Sequence, residues 1–459
     1  MKKSTFTFLA AFALAPAVMA QDFQPRMGEP LRGLSAAQYQ RFADGLVEYD
    51  TILTVSDGLG PIFNDNSCGT CHASPVSGGS GTKLVTRFGK AATGLLPFDG
   101  LASLGGTLKQ EQAIDPAVAE IVPAIADVVI NRITPSTYGT GLLESIDDND
   151  ILALAATPLD PNVSGMVRMT QPFEGGPMRA SKMGWKGGVA TVLTFSADAS
   201  LNEMGLTNRF VGLENAPNGD MALLAAWDSV PDPEDFPDPI TGLERIDRQT
   251  DFQIFTAQPP QTPRSGMSGE VVFSSIGCAA CHVDTEYITG ANAEANLSGR
   301  SIKPYSDFLL HDMGALGDGI SDGLATEQEM MTRTLWGMGQ RESFLHDGRI
   351  TGVPFDQLVN LTIQEHDGEA AFSRTNYNFL SVADKDALKN FLLSLGRAEG
   401  DWDNNNRVDE FDWFFLESLV TGPSAGTVTP DADGALVDFD QDGDVDMADL
   451  ALFQQAYTF

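Results

Sequence analysis

The chain has 459 residues, enough for about three domains, and its 63 acidic against 28 basic side chains give a formal net charge of −35. Hydrophobic residues make up 42%, which excludes a wholly disordered chain, and the acidic balance excludes a nucleic-acid binder, because phosphate binding needs a basic face. Four cysteines are too few for a disulfide framework at this length. Residues 1–20 are predicted to be a signal peptide: Lys2 and Lys3 precede an apolar run from Phe6 to Leu14, and small residues close the segment at Ala17-Val18-Met19-Ala20. No later stretch approaches the ~20 apolar residues of a membrane span. The mature protein is therefore expected in the periplasm or outside the cell.

An exported protein normally oxidises its cysteines in pairs, but here each pair has a histidine as third partner. The runs are Cys68-Gly-Thr-Cys71-His72 and, about 200 residues later, Cys278-Ala-Ala-Cys281-His282. Cys-x-x-Cys-His is the attachment sequence for covalent haem: each sulfur adds to one vinyl group and the adjacent histidine becomes the proximal iron ligand. A zinc knuckle or a redox dithiol explains one such run less well, and two that consume every cysteine hardly at all. The expected cofactors are two haem c groups on Cys68, Cys71, Cys278 and Cys281, with His72 and His282 on the irons.

Between and around these motifs the chain gives coarser signals. Ser77 to Gly81 is predicted to be a flexible loop beside the first haem, and Pro123 to Ile130 and Lys385 to Leu395 amphipathic helices. The proline-rich run at Pro259-Pro260-Gln261-Thr262-Pro263 marks a boundary. The division is an N-terminal haem domain at 21–258, a second at 264–398 and a tail at 399–459. The expected class is mainly α, with two cytochrome c-like domains, long loops and a small helical C-terminal module. There are only five histidines. His311, His346 and His366 all follow the second motif, so the first haem's sixth position is open, takes a methionine such as Met204, or is filled from the other domain.

Several further blocks resemble the bacterial dihaem oxidoreductases related to dihaem cytochrome c peroxidases and MauG-type enzymes. They include Gly58-Leu-Gly-Pro-Ile-Phe-Asn64, Tyr305-Ser-Asp-Phe-Leu-Leu-His-Asp-Met-Gly314, Arg333-Thr-Leu-Trp-Gly337, Phe344-Leu-His-Asp-Gly-Arg349 and His366-Asp-Gly-Glu-Ala370, in preserved order over roughly residues 35 to 397. The resemblance implies that Glu203 is the active-site acid, although the glutamine usual about ten residues earlier is replaced by Leu193 and Thr194. It also implies that His366 is the distal ligand of the second haem, with Met313 as the rival and with His311 and His346 supporting the pocket. On this reading a donor protein or small redox carrier feeds the second haem, which relays electrons to a reactive first haem. The competing readings are a non-enzymatic electron-transfer cytochrome and a scaffold-attached binding protein.

Residues 401–459 hold twelve Asp, two Glu and one Arg, and two registers repeat within them. Asp401, Asp403, Asn405, Arg407, Asp409 and Asp412 match Asp438, Asp440, Asp442, Asp444, Asp446 and Asp449. Positions 1, 3, 5, 9 and 12 carry oxygen donors and position 7 offers a backbone carbonyl, which is the calcium loop of an EF-hand. A helix is predicted after each loop, but none before the second. That arrangement resembles a dockerin module, implying calcium and a cohesin-like partner.

Overall fold

The computed structural model describes residues 23–458 apart from 95, 234–235, 424–425 and 427. The expected signal peptide, residues 1–20, lies outside the described residues. Helices carry the architecture; the strands are two to six residues long and form five two-stranded sheets and one three-stranded sheet among the described residues. No helix there is long and apolar enough to cross a membrane.

The first unit is built on three helices. Ala36–Asp50 begins at a capping box, in which the Ser35 side chain accepts from the Gln38 backbone and the Gln38 side chain accepts in return. Its buried Phe42 and Tyr49 pack on Phe252 of the Arg245–Phe255 helix, with ring centroids 5.4 and 4.7 Å apart. The third helix, Val192–Met204, is tied to it by Gln253 Nε2 donating to Ser196 Oγ at 2.9 Å.

Two expectations need correction here. The stretch Pro123 to Ile130 is not a helix: Val128–Ile133 is a strand, paired antiparallel along its whole length with Leu84–Gly89. Its run of β-branched residues and its alternating exposure favour the pleated form over a helical face. The Ser77–Gly81 segment is not a loose loop either. Gly78 N donates to His72 O, Ser80 N to Ser74 O and Gly81 N to Thr134 O. At Gly79 a Cβ would lie 1.9 Å from the Ser74 carbonyl oxygen, so the glycine is there to let two backbones touch.

In the second unit the Ser268–Ser275 helix runs into Cys278 and packs on Val382–Ser394, around Phe273, Tyr305 and Phe391. The proline-rich run is fastened to the same helix end, with Thr262 N donating to Ser394 O and Gly396 N to Pro260 O.

The tail has its own core of Val408, Leu416, Leu436, Val437, Phe439, Val445, Leu452 and Phe453. Its helices are Glu410–Leu419 and Met447–Ala456, and only a short 3-10 turn, Asp433–Leu436, precedes the second loop. The module is clamped to the rest of the chain. Asn406 exchanges two hydrogen bonds with the Met27 backbone, at 3.1 and 3.0 Å, and Asn404 Nδ2 donates to Gly339 O at 2.8 Å.

Candidate functional site

A cavity lies at each Cys-x-x-Cys-His run. The first, about 230 Å³, is lined by Cys68, Cys71 and His72 from one side of the chain and by Asp198, Glu203 and Met204 from the Val192–Met204 helix. Cys68–Cys71 forms a single helical turn, capped by Ser67 accepting from Thr70 N at 3.1 Å, and both cysteines line the cavity. His72 Nδ1 faces the Gly79 carbonyl at 3.2 Å; a carbonyl only accepts, so Nδ1 carries the proton there. Burial lowers the His72 pKa to about 4, which keeps the ring neutral, the form that binds iron.

Glu203 is not a surface carboxylate. It accepts from Asn64 Nδ2 at 2.6 Å, and burial raises its pKa against the pull of Arg87 and of that hydrogen bond. The backbone around it is fixed as well: Asn64 N donates to Glu203 O and Gly60 N to Met204 O. This joins the Gly58–Asn64 block to the end of the helix. Met204 is buried among Leu53, Leu59, Phe63 and Leu206 as well as lining the cavity.

The second cavity, about 210 Å³, is lined by Cys278, Cys281, His282, His311, Met313, His346 and His366. His282 Nδ1 donates to Tyr305 O at 2.9 Å, and His366, at the end of the Phe355–Glu365 helix, donates from Nδ1 to Thr362 O at 2.8 Å. Neither Nε2 has a hydrogen-bond partner among the described residues, and burial lowers both pKa values, His282 to about 4. His311 differs in kind. Its Nδ1 meets Glu369 at 2.8 Å and its Nε2 meets Asp307 at 2.9 Å, so neither nitrogen is free for a metal. Burial opposes a charge there, but the Asp307 and Glu369 carboxylates outweigh it and raise the pKa to about 12. His346 stands edge-on to Trp185, with centroids 6.3 Å apart.

Trp185, Lys186, Arg132 and Arg341 line the cavities without having been singled out by the sequence, and Arg333 entered only as part of a resemblance block. Trp185 lines both cavities and is anchored by Nε1 donating to Ile133 O at 3.0 Å. Its neighbour Lys186 and Arg132 close on the fully buried Asp318, at 2.9 and 2.6 Å. Arg333 and Arg341 line the second cavity with no carboxylate partner among the described residues, and burial lowers both to about 10. Guanidinium groups facing such a space, beside two free imidazoles and two thiols, fit a haem with its anionic propionates. None of these residues carries a spacing signal; the preference of arginine for carboxylates was the only available hint.

In the tail the carboxylates of Asp401, Asp403 and Asp412 converge to within 4.8 Å, as do those of Asp438, Asp440 and Asp449 and those of Asp444, Asp446 and Asp449. Asn405 Nδ2 donates to Asp403, and Asp442 accepts from Asp444 N. Asp409 and Asp446 each cap the helix that follows, while Arg407 N donates to Asn405 Oδ1. At position 6 of the two loops, Asn406 and Gly443 have φ of +65° and +90°, a region open to these residue types. Burial and like charge raise Asp401 to about 7 and Asp438 to about 6.

Residues 125–395 match the family described as "Di-haem oxidoreductase, putative peroxidase". The chain belongs to that family and is an oxidoreductase with two haems. The matched span includes Glu203 and the second motif, whereas Cys68–His72 precedes it. No curated protein matches the chain significantly. Among solved structures, hydrazine synthase from Kuenenia stuttgartiensis aligns with 12% identity and a TM-score of 0.34, covering 86% of this chain and 100% of that one. A variant of the dihaem peroxidase BthA from Burkholderia thailandensis aligns with 16% identity and a TM-score of 0.28, covering 68% of this chain and 95% of that one.

Proposed function

We propose that the protein is an exported, peroxidase-like dihaem enzyme whose first haem meets the oxidant and whose second haem accepts electrons from a donor protein or small redox carrier. The observation that carries this reading is the asymmetry of the two cavities. The first offers one histidine, His72, and a buried carboxylate, Glu203. The second offers two imidazoles with free Nε2 atoms, His282 and His366. Haem c supplies an iron that exchanges single electrons and, where a position is open, binds a peroxide oxygen. In this reading the Cys68/Cys71 and Cys278/Cys281 pairs hold the two groups covalently. His72 and His282 would be the proximal ligands, and His366 would hold the second iron from its other side.

Glu203 then takes a proton from one peroxide oxygen and returns it to the other, which leaves as water. Its buried setting suits both halves of that task, because a raised pKa brings the group nearer to neutral pH. Trp185, common to both cavities, is the side chain placed to carry electrons between them, and the Arg132–Lys186–Asp318 cluster beside it keeps it in position. Arg333 and Arg341 pair with the second haem's propionates. Intact mass of the mature protein should show two haems that survive denaturation, with no free thiol and no disulfide. One haem, or a cystine between Cys68 and Cys71, would contradict the assignment.

The tail is read as a calcium module. Its paired loops aim carboxylates at two small volumes, where a hard cation would offset the burial and like charge that raise Asp401 and Asp438. Calcium at about 100 times its Kd should stabilise the tail by about 2.7 kcal/mol per site, read as a rise in Tm of the full-length protein that a chelator reverses. Asp438→Ala or Asp449→Ala should weaken the rise. A Tm indifferent to calcium would leave the segment as an acidic surface only.

A further inference from the structure

Three cationic side chains line the first cavity: Arg87, Arg132 and Lys186. Arg132 and Lys186 are both committed to Asp318, at 2.6 and 2.9 Å. Arg87 is different. It makes no ion pair among the described residues, its one side-chain hydrogen bond there is long, 3.5 Å to Thr107 Oγ1, and its Nε is buried without an acceptor. A guanidinium stays charged and offers five N–H groups in a fixed fork, so leaving one in a cavity with no hydrogen-bonded anion is costly. Such a group is retained where something else answers it.

Its placement shows what that could be. Arg87 lies on the Leu84–Gly89 strand, paired with Val128–Ile133, and the sheet turns Val85, Arg87 and Arg132 into the cavity. The Val192–Met204 helix presents Asp198 and Glu203 to the same space. Leu193 and Thr194, where the resemblance expects a glutamine, are not among the lining residues, and the Thr194 hydroxyl is already bonded to Glu174 at 2.8 Å. The cavity thus lacks an amide donor at that position and contains an uncommitted guanidinium facing the proposed acid.

We propose that Arg87 is the hydrogen-bond donor of the first haem's oxidant site, holding the oxygen that becomes anionic when Glu203 takes its proton. The proposal rests on the peroxidase-like reading above. Hydrogen peroxide gives one proton to Glu203. The O–O bond breaks with its electron pair on the outer oxygen, which takes that proton back and leaves as water. The remaining oxygen atom receives two electrons from the external one-electron donor and two protons from solvent, giving the second water. Arg87 stays protonated throughout and acts by stabilising the charge that appears in between.

Fluoride tests the assignment without turnover. It is a small anion that binds open ferric haem and accepts a hydrogen bond from a nearby donor, and its affinity is read from the absorption spectrum of the holoprotein. A hydrogen bond to a charged group is worth enough that Arg87→Gln should weaken fluoride roughly 10–150-fold, while Arg87→Lys, which keeps the charge, should lose less. Should Arg87→Gln fail to retain the first haem, the Lys variant reads the same titration. Fluoride affinity within about twofold of wild type in the folded variants overturns the proposal and makes Arg87 a partner of the haem propionates instead. Wild-type protein that takes up no fluoride overturns both the proposal and the reading beneath it. Arg87-dependent fluoride binding in a protein inert to peroxide sinks the peroxidase-like reading alone, leaving Arg87 as the anion donor.

Discussion

Replacing Glu203 with glutamine should slow the reaction with peroxide by about 10²–10⁴-fold, the usual worth of general acid–base catalysis, while leaving both haem spectra essentially unchanged. The substitution is nearly isosteric, and the amide oxygen can still accept the Asn64 Nδ2 hydrogen bond that holds the side chain at 2.6 Å. What it removes is the proton-carrying capacity of a carboxylate in a buried cavity. The pH dependence has a fixed sign. Glu203 must be ionised to take the first proton, and burial raises its pKa, so the rate should climb with pH through a value above the ordinary glutamate range of about 4.3. In the Gln variant that limb should vanish. Wild-type rates in the variant would make the carboxylate a bystander.

The second large effect belongs to His366. Its Nε2 and that of His282 are free within one cavity, each ring held by a backbone carbonyl at its other nitrogen. His366→Ala should convert a low-spin second haem into one that is high-spin or re-ligated, change its potential, and let cyanide titrate two irons where wild type offers one. The first haem, held by His72 at the other cavity, should be untouched. An unchanged second-haem spectrum would reject His366 as the ligand and move Met313, on the same cavity wall, into its place.

The parts of the site that were legible in the sequence are those that chemistry forces to be contiguous. Each Cys-x-x-Cys-His run is contiguous in sequence and lines one cavity, and each aspartate register brings carboxylates to within 4.8 Å of one another, so Cys68–His72, Cys278–His282 and the two registers could be picked out before folding. Glu203 could be found only through resemblance, because a lone glutamate on a helix has no local signature. Trp185, Arg87 and Arg341 could not be found at all, and Arg333 only as one letter of a resemblance block, since their significance comes from which cavity they face after distant segments have paired. The misread strand Val128–Ile133 has the same origin: its partner, Leu84–Gly89, lies some forty residues back, and only the pairing reveals a sheet. The Ser77–Gly81 loop misled because glycine signals flexibility in isolation, whereas here it allows a close backbone approach beside His72.

The central claim is that one iron is open and the other closed, and the EPR spectrum of the resting ferric protein tests it most directly. The asymmetry of the two cavities predicts one high-spin signal, from a haem on His72, that shifts to low-spin on adding cyanide, beside one low-spin signal, from a haem between His282 and His366, that does not respond. Two low-spin signals, both indifferent to cyanide, would contradict the account and make the protein an electron carrier.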